Sequence, residues 1–172
     1  MRYLPNGKQM SEADAHTIHE IGIPSLVLME RAALQIVETM HKKNISTEKS
    51  LIVCGSGNNG GDGFAVARLL AEQGKHADVL FAGKETSLSE ECRCQKQIVE
   101  NMGISVFTEF QDEEYTVIID AVFGVGLCRE ITGHYKDVID WMNLQDAEKV
   151  AVDIPSGICA ATGKILGTAF RA

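Results

Sequence analysis

The densest set of chemically competent residues lies in LIVCGSGNNGGDGFAVARLL, residues 51–70, where an apolar run enters a glycine-rich turn and leaves as a helical pattern. Gly55, Gly57 and Gly60 satisfy the spacing G-x-G-x-x-G, with Gly61 and Gly63 following. Amides at a helix N-terminus attract phosphate oxygens, because the first of them have no partner in the helix and the helix dipole is positive there. Five glycines in nine residues exceed what a tight turn needs, so the segment is read as a phosphate-cradling loop. On that reading Gly60→Val weakens ligand binding and leaves the fold largely intact. A dinucleotide-binding fold would also place an acidic residue at the end of the second strand to hold a ribose. HADVLFAGKE offers Ala82, Gly83 and Lys84 there, with Glu85 late, which disfavours a hydride-transfer dehydrogenase.

The same loop carries Asn58, Asn59 and Asp62, and two further carboxylates end apolar runs: Asp120 closes TVIID and Asp153 closes VAVD. Asp120 leads into a second glycine-rich loop, AVFGVGLCREITG, while Asp153 opens DIPSG, where Pro155 stiffens the turn and Ser156 presents a hydroxyl. Alone, each Asp reads as a turn or helix cap. Together they belong to one crevice if the runs are parallel strands, since open parallel sheets bind ligands beyond their carboxyl ends. Asn and Ser oxygens joined by one carboxylate suit a hard cation rather than zinc or copper. A second carboxylate left free of the metal could act as acid or base.

The elements that must position these groups follow from periodicity. β-rich runs at 50–54, 77–82, 104–107, 116–121 and 149–154 alternate with helical patterns at 62–73, 87–102 and 135–142, with no internal repeat. Alternation of this kind predicts an α/β fold with a mostly parallel central sheet. Ser87 or Ser89 is the expected cap of the second of these helices. Two more helices are expected ahead of the first strand, at 11–21 and 24–42. The second carries Leu26, Leu28, Met29, Ala32, Ala33, Ile36, Val37 and Met40, a face that needs a partner, expected to be the sheet.

Composition narrows the function classes. The chain has 172 residues and a net charge of −8, the wrong sign for holding a nucleic-acid backbone. No apolar run approaches the roughly 20 residues of a membrane span, and the start, MRYLPNGKQMSEADAHTIHE, lacks a leader's apolar segment. Five cysteines, Cys54, Cys92, Cys94, Cys128 and Cys159, are odd in number and form no CxxC pair, which fits a reducing cytoplasm better than a disulfide framework. GKET at residues 83–86 is no P-loop, because Asp78 occupies the position of its first glycine. No serine lies in G-x-S-x-G, and the five histidines sit in no triad context.

Three segments taken together, GSGNNGGDGFAVARLL, IIDAVFGVGLCREITG and VDIPSGICAATGKILG, resemble the NAD(P)H-hydrate epimerase family, also called the YjeF N-terminal domain, and GIPSLVLMERAA is similar to its N-terminal helix signature. The resemblance implies a Rossmann-like three-layer α/β/α sandwich. It implies epimerisation of the R and S forms of hydrated NADH and NADPH, within nicotinamide nucleotide repair. It places Asn58, Asn59, Gly60, Gly61 and Asp62, together with Gly124, Val125, Gly126, Leu127, Cys128, Arg129 and Glu130, around the substrate. Asp153 falls on the family's substrate-contacting catalytic aspartate, and Asn59, Asp120 and Ser156 on its potassium ligands. An acidic residue usual in the family shortly after DIPSG is missing here, where the chain reads ICAATG.

By the same resemblance the chain is expected to be a single domain over residues 1–172 that lacks its C-terminal end, since the family continues with another strand. An ATP- or ADP-dependent hydrate dehydratase, fused or separate, and a second copy of the chain are the implied protein partners. The family also implies a rival: a non-catalytic nucleotide-binding or scaffold protein of the same fold. Retention of Asn59, Asp120, Asp153 and Ser156 argues for the enzyme. Two chemical routes stay open, ring opening to an aldehyde and loss and return of hydroxide through an iminium ion.

Overall fold

The computed structural model describes residues 7–172; residues 1–6, part of the stretch read above for a leader, lie outside the described residues. Along the chain run α1 (Gly7–His19), α2 (Ser25–Lys42), β1 (Lys49–Cys54), α3 (Asn58–Glu72), β2 (His76–Phe81), α4 (Glu90–Asn101), β3 (Val106–Phe107), β4 (Val117–Ala121), α5 (His134–Leu144) and β5 (Glu148–Ala151). The five strands form one parallel sheet in the order β3-β2-β1-β4-β5. This is the Rossmann-like α/β/α architecture expected.

The order reverses beside β1: the chain first moves outward through β2 and β3, then returns to lay β4 on the other side. Connections therefore leave the carboxyl ends of β1 and β4 in opposite directions and open a crevice between them. In register, Val53 lies beside Asp120, and Asp120 beside Ala151. Strand side chains alternate between faces. Ile119 and Ala121 enter the core shared with α2, α3 and α4, while Ile118 and Val122 enter the core under α5. Asp120, between them in sequence, falls on the α5 face of β4.

Several expectations need correcting. α3 begins at Asn58, not Asp62, so NNGGDG is a helical first turn rather than a loop. Gly60, Gly61 and Gly63 are buried in it, and their missing side chains let the helix sit against its neighbours. A Cβ at Gly60 would stand 2.0 Å from the Gly55 carbonyl oxygen, one at Gly61 2.6 Å from Met29 Cε, and one at Gly63 2.4 Å from Ala121 Cβ. These glycines are demanded by packing. The α2 face also found a different partner: it lies chiefly along α3, with Ala33, Val37 and Met40 joining the core that reaches Ile52 and Ile119. α4 starts at Glu90, capped by Ser89, whose hydroxyl oxygen accepts the Cys92 amide at 3.2 Å. β5 ends at Ala151, short of the expected 154; the Val152 amide still donates to the Asp120 carbonyl at 2.9 Å, and Asp153 lies just beyond the strand.

No helix among the described residues is long and apolar enough to cross a membrane.

Candidate active site

A cleft of about 740 Å³ opens at the crevice, a size ordinary for small-molecule sites. Its walls are the β1–α3 turn with Ser56, Gly57, Asn58, Asn59 and Asp62, the loop after β4 from Val122 to Arg129, and Val152 and Asp153 beyond β5. Met10, Ser11 and Asp14 of α1 and Ala32 and Ile36 of α2 complete it. The α1 contribution has no motif in the sequence that could have announced it. That helix buries no residue and reads as a solvated face.

At the floor, α3 starts from Gly57, an extended residue whose lack of a side chain leaves the helix without a side-chain cap. Gly61 N–H is the first to bond back, to the Gly57 carbonyl at 3.1 Å. The amides of Asn58, Asn59 and Gly60 thus precede the helical ladder. Gly60 and Gly61 themselves do not line the cleft but lie beneath it, and Glu130 faces a smaller adjoining cavity with Tyr135 and Ile131. Gly124, Val125, Gly126, Leu127, Cys128 and Arg129 all line the main cleft.

Asp153 is solvent-exposed, and its Oδ2 accepts the Val125 amide at 2.9 Å. Gly124 marks where two site groups converge: a Cβ there would stand 2.7 Å from Asp153 Oδ2 and 3.4 Å from Asn59 Oδ1. Gly124→Ala is therefore expected to displace the Asp153 carboxylate, slowing the site's chemistry by about 10²-fold, the cost of roughly an ångström of misplacement. Thermal unfolding should stay nearly unchanged, because the obstructing atom is a side-chain tip. Parallel activity and melting measurements check both halves.

Asp120 and Ser156 lie behind this surface, 1% and 0% exposed. Asp120 Oδ1 accepts the Ser156 hydroxyl at 2.7 Å and the Val122 amide at 3.1 Å, and Oδ2 accepts the Ser156 amide at 2.7 Å. The Phe123 amide in turn donates to Ser156 Oγ at 2.8 Å. This network ties the end of β4 to the DIPSG turn. Gly157, at φ +96, lets that turn close against Thr168, whose carbonyl oxygen would lie 1.9 Å from a Cβ. Burial pushes the Asp120 carboxyl up to about 6 even though three donors pull the other way. No Lys or Arg pairs with Asp120 among the described residues. The Asn59 Nδ2 is likewise buried without a partner.

Asp62 is pushed further, to about 7, first by burial and then by the charges of Asp153 and Asp14. Raised carboxyls make the folded protein bind more protons than the unfolded chain between about pH 4 and 7, so their contribution to stability falls as pH rises through that window. Asp62→Asn removes the cost of burying the charge. It should gain stability of order 2 kcal/mol at pH 8 and little at pH 4, as read by urea unfolding at both values.

The family model described as YjeF-related protein N-terminus matches residues 25–172. A protein of Weissella koreensis named NAD(P)H-hydrate epimerase is 42% identical over 165 residues, covering 95% of this chain and 75% of its own length. One of the same name from Limosilactobacillus reuteri is 44% identical over 171 residues, covering 98% and 81%. In architecture the chain resembles the crystal structure of the yeast protein ynu0, with a TM-score of 0.85 and 21% identity over 98% of this chain and 77% of that one. Because that family model covers most of the chain and relatives above 40% identity share nearly all of its length, the chain belongs to the family of YjeF-related proteins defined by that N-terminal domain.

Proposed function

We infer that the chain is an isomerase that interconverts the epimers of hydrated NADH and NADPH. The observation that carries this reading is the convergence, in one cleft, of an exposed carboxylate held by an amide and a helix N-terminus left without a side-chain cap. The names of the relatives supply the substrate class. The amides of Asn58 and Asn59, which line the cleft ahead of the helical ladder, suit a phosphate of the dinucleotide. The 124–129 wall then flanks the substrate, and Asp153 takes or returns a proton at the hydrated carbon.

The exposed Asp153 carboxylate on the wall of the cleft favours this reading over that of a scaffold. Purified hydrate epimers, followed by NMR or chromatography, should equilibrate in the presence of the chain. An unchanged epimer ratio after prolonged incubation would refute the assignment.

A potassium ion fits the oxygen donors of Asn59, Asp120 and Ser156, because Asp120 is a buried carboxylate without a cationic side chain beside it. Among the described residues no cluster of three or more His, Cys, Asp or Glu side chains competes with that oxygen set. When bound, the ion would supply positive charge that favours ionised carboxylates around it. Anomalous diffraction from rubidium-soaked crystals should show a peak between these three residues; water alone at high rubidium would remove the ion from the site. The five free cysteines, two of them buried, favour a cytoplasmic setting. An ATP- or ADP-dependent hydrate dehydratase, acting on the same hydrates, and a second copy of the chain remain the proposed protein partners.

A further inference from the structure

We propose that Asp62 and Asp153 form an acid–base pair in the exchange, Asp62 giving a proton and Asp153 taking one, a reading that rests on the epimerase function proposed above. Both carboxyls line the same cleft but from different elements, Asp62 from the first turns of α3 and Asp153 from the segment beyond β5. Their surroundings are opposite in kind. Asp153 is exposed and accepts an amide hydrogen bond. Asp62 is partly buried, and no hydrogen-bond donor or cationic side chain is paired with it among the described residues.

Two carboxylates that face Asp62 oppose its ionisation. Asp14 approaches from α1 and Asp153 from beyond β5. The thiols of Cys54 on β1 and Cys92 on α4 are close enough to feel its charge. Arg129 is the one basic side chain among the cleft-lining residues. A carboxyl kept protonated by its surroundings can give a proton while an exposed carboxylate in the same cleft takes one.

The proton balance closes on either route. In hydroxide loss, the Asp62 proton passes to the leaving oxygen and the carbon–oxygen pair departs as water. The ring-nitrogen lone pair then forms the iminium. Water adds to the opposite face as Asp153 takes its proton. In ring opening, Asp153 takes the hydroxyl proton as the carbon–oxygen double bond forms, and the carbon–nitrogen pair moves to nitrogen, which receives the Asp62 proton. Rotation and the reverse steps give the other epimer. Neither route needs an oxidant or a further co-reactant. On the first route one proton is transferred from Asp62 to Asp153, and exchange with solvent resets the pair.

The test compares the full chain with Asp62→Asn and Asp62→Glu in epimer exchange across pH. In the wild type the rate should fall as pH rises through about 7, where Asp62 loses its proton. Asp62→Asn should lower kcat by about 10²–10⁴-fold with little change in KM and lose that limb, and Asp62→Glu should restore part of the rate. A wild-type rate and an intact limb in Asp62→Asn would overturn the pair while leaving the epimerase reading standing. A wild type that exchanges no epimer at any pH would overturn both. Carbon-13 NMR of the wild-type carboxyls needs neither variant nor turnover: Asp62 should titrate near 7, and titration near 4 would overturn the proposal.

Discussion

Asp153→Asn is expected to slow epimer exchange by about 10²–10⁴-fold, the usual worth of a positioned acid or base. The asparagine oxygen can still accept the Val125 amide that now reaches Asp153 Oδ2 at 2.9 Å, so the loop after β4 should keep its place. The exposed position makes a stability effect small, within about 0.5 kcal/mol. What disappears is the negative charge and the capacity to bind a proton. Rate measurement beside thermal unfolding separates these consequences, and a folded variant that exchanges epimers at the wild-type rate would take Asp153 out of the chemistry.

Gly60→Val should prevent stable folding. The added Cβ would stand 2.0 Å from the Gly55 carbonyl oxygen and 2.7 Å from its carbon, and both belong to backbone that cannot swing aside. Relief requires α3 to move off the end of β1, opening the core that holds Phe64, Ala67 and Ile52. Overpacking a core commonly costs about 1–3 kcal/mol and sometimes more. A backbone collision this close belongs at or beyond the upper end, a large part of the roughly 5–15 kcal/mol that holds a domain together. Gly126→Ala is the control, since a Cβ there meets nothing within 4 Å. Circular dichroism and melting curves should show Gly126→Ala folded and Gly60→Val largely unfolded. A Gly60→Val protein that melts like the wild type would show that α3 does not lie against Gly55.

The contrast between Gly60 and its neighbours shows where local sequence stops being informative. Glycine is equally compatible with a phosphate loop and with close helix packing, and G-x-G-x-x-G does not distinguish them. Only the position of α3 against β1, β4, α2 and α4 settles the matter, and it makes Gly60, Gly61 and Gly63 packing residues. The helix boundary at Asn58 is hidden from local sequence for the same reason. Glycines lower helix propensity, and tertiary contacts overrode that preference.

Periodicity and strand-end residues were sufficient for the alternation of strands and helices, the parallel sheet, and the placement of Asp120, Asp153 and Ser156 at one end of it. These features depend on short-range patterns and on the direction in which every strand of a parallel sheet must run. The sequence alone also carried the motifs that resemble the family. It could not place Asp14 of α1 in the cleft, pack α2 along α3, or show that Asp62 and Asp120 hold their protons more tightly than ordinary carboxyls. Those outcomes depend on burial and on charges brought together from elements far apart in the chain, and desolvation and Coulomb interactions act through space whatever the separation in sequence.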